Sequence, residues 1–232
     1  MNYDLQNKNI SEGVDLCSVS AEGFKTACAS ISFVMPLSEK ASLYALVPNV
    51  LTRSCKDYPD VTSIEKKLAL LYGAEVIVDV SKVGENQVLK IEVSCIDDRF
   101  SIDGESITNE CLKLLFQMIF EPRLENGVFC SDDVESEKRL LAERLIAENS
   151  DKRTYAKNRC VEIMFENELY GIHRYGTVEA IEKITPEALY EAYNEVLNNG
   201  KILVCVSGGN FSNVEKLLAQ YTSNKNRKGF YV

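Results

Sequence analysis

Residues 75–96 read EVIVDVSKVGENQVLKIEVSCI. From Val88 to Ile96, the side chains of Leu89, Ile91, Val93 and Cys95 alternate with Lys90, Glu92 and Ser94. That period of two belongs to a strand with one buried and one wet face. Glu75 to Ser81 is likewise rich in β-branched residues, and Gly84, Glu85 and Asn86 supply turn chemistry between the two runs. The stretch is therefore an antiparallel hairpin, and it sets the character of the sheet to which the rest of the chain must add.

Towards the N-terminus, Thr62 and Glu65 have capping-box spacing ahead of a stripe of Ile64, Leu68, Leu71 and Tyr72, with Gly73 placed as a C-cap. Leu37 to Ser54 is helical in composition but contains Pro48. An interior proline lacks the N–H donor and costs about 3 kcal/mol, which predicts a helix that is kinked or begins late. Two earlier runs read as strands: Val14 to Val19, and Ala27 to Met35, with Ile31, Phe33 and Met35 on one face and Pro36 ending it.

Towards the C-terminus, Ile107 to Phe120 is an apolar helix. Asp132 to Asn149 is a charged one with Val134, Leu141 and Leu145 inward and a Glu135–Arg139 pair on its surface. Thr154 to Glu166 is helical in composition. Thr185 and Pro186 open a helix carrying Leu189, Tyr193, Val196 and Leu197. Ile202 to Val206 is a strand. Gly208 and Gly209 turn the chain, and Ser212 with Glu215 caps a last helix bearing Val214, Leu217, Leu218 and Tyr221. Hairpin-linked strands with helices gathered in blocks predict an α+β fold: an antiparallel sheet with helices packed mainly on one face. No repeat or linker divides it, so residues 1–222 read as a single domain. Residues 223–232, SNKNRKGFYV after Thr222, read as the start of a linker to an absent second half.

The chain has 232 residues, 45% of them hydrophobic, which excludes a disordered or fibrous protein. A net charge of −9 argues against a nucleic-acid footprint. The polar N-terminus and the lack of a long apolar run predict no membrane span and a cytoplasmic protein. The eight cysteines include no C-x-x-C pair, so a structural zinc site is not expected; Cys28, Cys95, Cys111 and Cys205 lie in apolar runs and read as small buried hydrophobes. His173 is the one histidine. It reads as a locally bonded loop residue, with general base as the sharper alternative. Gly208-Gly209 lacks the third glycine of a dinucleotide fingerprint and the lysine of a P-loop. Asp97–Asp98, Asp103–Glu105 and Asp132–Asp133 lack EF-hand spacing and read as solvated carboxylates.

Four blocks, taken together, resemble insulinase-like (pitrilysin-type) metallopeptidase domains: FKTACASISFVMPLSE, RSCKDYPDVTSIEKKLALLYGAEVIVDVSKVGENQVLKIEV, SEKRLLAERLIAENSDKRTYAKNRCVEIMF and YGIHRYGTVEAIEKITPEALYEAYNEVL. The resemblance runs from about Asp15 to about Gly208, and it implies an insulinase-like α+β sandwich. Active members carry H-x-x-E-H: two histidines and a distant glutamate hold Zn²⁺, and the motif's own glutamate is the general base. Here the resemblance places that motif on Ala45-Leu46-Val47-Pro48-Asn49, with Ala45 and Asn49 in place of the histidines and Pro48 in place of the base. The third ligand falls on Arg144, seven residues after Glu137, with Glu143 one place earlier.

The sequence is similar to bacterial non-catalytic members of the family. That implies a catalytically inactive domain with no cofactor, one that pairs with a zinc-bearing homologous subunit or second half to enclose unfolded peptides. The chain's acidity implies a weak preference for basic peptides. Two other readings stay open. One is a peptidase with a nonstandard site, using Asp97, Asp98 or Asp132 near Glu143, or a cysteine with His173. The other is a plain protein-interaction domain.

Overall fold

The computed structural model describes residues 5–20 and 23–222; the expected linker at 223–232 lies outside them. One six-stranded sheet has the order β1-β2-β8-β3-β5-β4. The strands are β1 (Leu5–Ser11), β2 (Val14–Val19), β3 (Thr26–Pro36), β4 (Glu75–Val83), β5 (Asn86–Ile96) and β8 (Lys201–Ser207). The sheet is mostly antiparallel, as the hairpin implied. The exception is β2 beside β8, which pair in parallel, Val14 opposite Ile202 through Val19 opposite Ser207. A parallel partner nearly two hundred residues away leaves no local turn signal, so only the assembled sheet reveals it.

Along β3, Ala27, Ala29, Ile31, Phe33 and Met35 are buried, and along β5 Leu89, Ile91, Val93 and Cys95 are buried in the same layer. Against this face pack α1 (Ala41–Leu51), α3 (Ile107–Phe120) and α7 (Pro186–Asn199). Each side chain of this size leaving water contributes about 1.5–3 kcal/mol, so the sheet–helix layer is the stability of the domain. Around it lie α2 (Val61–Leu70), α4 (Ser131–Ser150), α5 (Lys152–Met164), α6 (Val178–Glu182) and α8 (Val214–Thr222). A two-residue-strand hairpin, β6 (Leu124–Glu125) with β7 (Val128–Phe129), follows α3. Among the described residues no helix is long and apolar enough to cross a membrane.

Several local expectations hold and several are corrected. Val134, Leu141 and Leu145 are the buried residues of α4, and Thr185 caps α7 by accepting from Ala188 N. The hairpin turn is two residues long, Gly84-Glu85, with Gly84 at φ +56, because Val83 already pairs with Asn86. The cap of α2 is Asp60 with Ser63, not Thr62 with Glu65; a carboxylate two residues earlier reaches the free N–H groups first. Gly73 ends α2 as expected, at φ +74 with its N–H bonded to Leu68 O at 3.1 Å, and Tyr72 before it is left-handed as well, at φ +60. Glu135 bonds Lys138 rather than Arg139. The helix containing Pro48 begins at Ala41 and runs through the proline, so its start is not late enough to take Pro48 out of the interior. Strand β1 has no sequence signal, since its side chains are almost all exposed. Of the cysteines taken as core, Cys95 and Cys111 are buried, whereas Cys28 is half-buried and Cys205 exposed on the outer face of the sheet.

Candidate functional site

Positions 45, 48 and 49 share one face of α1, three and four residues apart. In an inverted zinc motif that face would look into a cleft; here it is closed. Ala45 is fully buried. Pro48 is buried and lines an apolar void of about 10 Å³ with Phe33, Leu89 and Tyr193, which is too tight for more than one water molecule. Asn49 turns its amide back on its own helix, donating to Ala45 O at 2.8 Å, and Thr52 does the same towards Asn49 O at 2.9 Å. These side chains satisfy backbone rather than present a ligand set.

Arg53, just past α1, donates to Glu137 Oε1 (2.8 Å) and Asp133 Oδ1 (3.1 Å) on α4, and Ser54 donates to Asp133 Oδ2 (3.0 Å). The α4 carboxylates nearest α1 are thus committed to a guanidinium. Arg144 lies on the exposed side of α4, with its guanidinium 5.9 Å from the Tyr175 ring. Glu143 is exposed beside it.

The acidic residues named in the nonstandard-site reading do not converge. Asp97 accepts from both the side chain and the backbone of Arg99, which hold its pKa below the usual value. Asp98 accepts from Thr108 N at 2.8 Å and so caps the start of α3. Asp132 is exposed on the first turn of α4. Glu105 of the Asp103–Glu105 pair accepts from the Tyr72 hydroxyl at 2.8 Å. Among the described residues no group of three or more His, Cys, Asp or Glu could hold a metal ion.

His173 is not merely local. Its Nδ1 accepts from Tyr175 N at 3.3 Å, as a loop histidine would, but its Nε2 faces Asn158 of α5 at 3.4 Å and Glu148 of α4 at 3.3 Å. Burial pulls its pKa below 6.5; Glu148 opposes this, and Arg174 and Lys82 add to it. Glu148 Oε2 is buried without an aligned hydrogen bond, while its Oε1 accepts from Arg174. No cysteine stands among the groups bonded to His173.

The arrangement that sequence reasoning missed is at the other end of the sheet. Strand β4 pairs only with β5, so its second edge is free among the described residues. Beside that edge lies a groove of about 420 Å³, floored by residues 79–82 and walled by Lys157, Asn158, Val161 and Glu162 of α5 and by Tyr170, His173 and Arg174. Lys82 Nζ donates to Tyr170 O (2.6 Å) and Ile172 O (3.1 Å) and sits 4.3 Å from the Tyr170 ring, so residues 170–172 close one end. One signal was legible: along the inward side of β4, Val76, Val78 and Val80 are followed by a lysine.

No family model matches the sequence. The chain is 30% identical over 229 residues to a probable inactive metalloprotease, YmfF, of Bacillus subtilis, covering 98% of this chain and 54% of that protein. It superposes at a TM-score of 0.87 on a conserved protein from Enterococcus faecalis V583, 25% identical, covering 98% of this chain and 54% of that one. The chain has an insulinase-like fold. A peptidase M16 inactive domain from Pseudomonas fluorescens shares the fold at a TM-score of 0.71 and 16% identity, covering 99% of this chain and 52% of that one. The insulinase-like chain thus spans about half the length of the relatives it matches.

Proposed function

We propose that this insulinase-like domain is a catalytically silent wall of a peptide-enclosing assembly, pairing with a zinc-bearing homologue or a second half. The silence follows from reading Ala45, Pro48, Asn49 and Arg144 as the degenerate zinc positions: none of the four is an imidazole that could hold a Lewis acid, and the base position is a proline. What supports the silence is that this face of α1 is packed as core and folded back on its own backbone. What carries the peptide part is the free edge of β4 above its groove. An extended chain adds there through main-chain hydrogen bonds, which give affinity without much demand on sequence.

The test is elemental analysis together with co-purification. The expected result is a purified chain without stoichiometric zinc that co-elutes with an insulinase-like homologue carrying H-x-x-E-H and shifts its peptide turnover. Near-unit zinc, lost on Glu143→Ala, defeats the silent reading; no association with such a homologue defeats the pairing.

A further inference from the structure

The groove beside β4 carries a charge opposite to that of the whole chain. Five charged side chains line it: Asp79, Lys82, Lys157, Glu162 and Arg174. Three are answered. Glu162 accepts from Arg159 at 2.9 Å, Arg174 is paired with Glu148, and Asp79, in register with Lys90, points to the opposite face of the sheet from Lys82. The other two are cations. Lys82 touches only neutral groups, the Tyr170 and Ile172 carbonyls and the Tyr170 ring. Exposed Lys157 has no hydrogen-bond or ionic partner among the described residues. Burial, and then Arg174, depress the pKa of Lys82, and Glu162 opposes them more weakly.

Geometry chooses the ligand. Residues 170–172 stand at the Lys82 end of the groove, with the Tyr170 and Ile172 carbonyls holding Lys82 Nζ, so the end of an added strand that reaches them lies beside Lys82. A terminal ammonium would face two lysines; a terminal carboxylate would be held by them. We infer that the groove receives the C-terminal carboxylate of an extended peptide, which adds to β4 in the parallel sense and ends at Lys82 and Lys157. This rests on the peptide-edge reading above and makes it specific. It also reverses, at this one place, the preference for basic peptides implied by the overall charge.

The test uses the full chain and a labelled peptide of about ten alternating valines and threonines, with a free C-terminus or a C-terminal amide, read by fluorescence anisotropy and by amide chemical shifts. The free acid is expected to bind about tenfold more tightly than the amide, the difference shrinking with salt. Lys157→Gln, at an exposed position, is expected to lower the acid to the affinity of the amide. Lys82→Met, checked for folding by circular dichroism, should do the same. Equal affinity of acid and amide, with shifts on β4, overturns the carboxylate assignment and leaves the edge reading intact. Binding of the acid that is indifferent to both substitutions also overturns the assignment. No binding of either peptide overturns the edge reading and this inference with it.

Discussion

Arg53 and Glu137 tie the first helix layer to α4 through a 2.8 Å contact between Nη1 and Oε1, and the same guanidinium reaches Asp133 Oδ1 at 3.1 Å. Glu137 is the residue from which the resemblance counts to the third zinc ligand. In this chain it anchors α1 to α4. Its side chain and that of Asp133 are 13% and 18% exposed, so removing the cation leaves two half-buried carboxylates facing each other. Arg53→Ala is expected to cost about 1–3 kcal/mol, discounted from a fully buried pair because water still reaches the site. Urea unfolding at neutral pH measures it; an unchanged midpoint contradicts the clamp.

Restoring imidazoles does not restore a metal site. Ala45 has no exposed surface and its neighbours fill the layer beneath β3, so Ala45→His forces a larger, polar side chain into packed core. Overpacking of this kind costs about 1–3 kcal/mol. The Ala45→His/Asn49→His pair is expected to unfold at lower urea and to remain free of stoichiometric zinc, because position 45 is enclosed in packed core and Arg144 supplies no third ligand. Near-unit zinc in that variant would show that α1 opens to a cleft after all.

The buried histidine predicts an acid-sensitive fold. Its native pKa lies below the unfolded value near 6.5. Between those two values the unfolded chain binds a proton that the native chain refuses, so stability rises with pH through that window and falls as pH drops from 6.5. His173→Gln should flatten the fall of the urea midpoint as pH drops below about 6.5, relative to the parent. An equally steep slope in the variant would assign the acid sensitivity to other groups.

The thiols should divide by exposure. Cys160 and Cys205 are exposed, while Cys55, Cys95 and Cys111 are buried. Burial, and then Cys17, raise the Cys205 thiol above its usual pKa, so it should label slowly at neutral pH and faster in alkali. Timed alkylation with peptide mapping is expected to mark Cys160 and Cys205 in the native chain and the three buried cysteines only in denaturant. Early labelling of Cys111 would mean that α3 separates from the sheet.

Much of the architecture is legible because it is periodic. The alternation across Leu89, Ile91, Val93 and Cys95, the α4 stripe of Val134, Leu141 and Leu145, and the Thr185-Pro186 helix start are local facts written at fixed spacing. So is the loss of the zinc chemistry: a chain with one histidine cannot supply two. The reading of Cys205 as core failed because an apolar run does not say which face of a sheet a residue takes.

Composition and spacing alone thus determined an α+β domain with helices on one face and no paired imidazoles. Only the tertiary structure decided which strands lie at the edges, because the parallel pairing of β2 with β8 joins residues far apart in the chain. It also decided that Lys82, Lys157, Tyr170 and Arg174 share one groove. Those residues come from a strand, a helix and a connecting segment, and side chains brought together by long-range packing leave no period for a sequence to show.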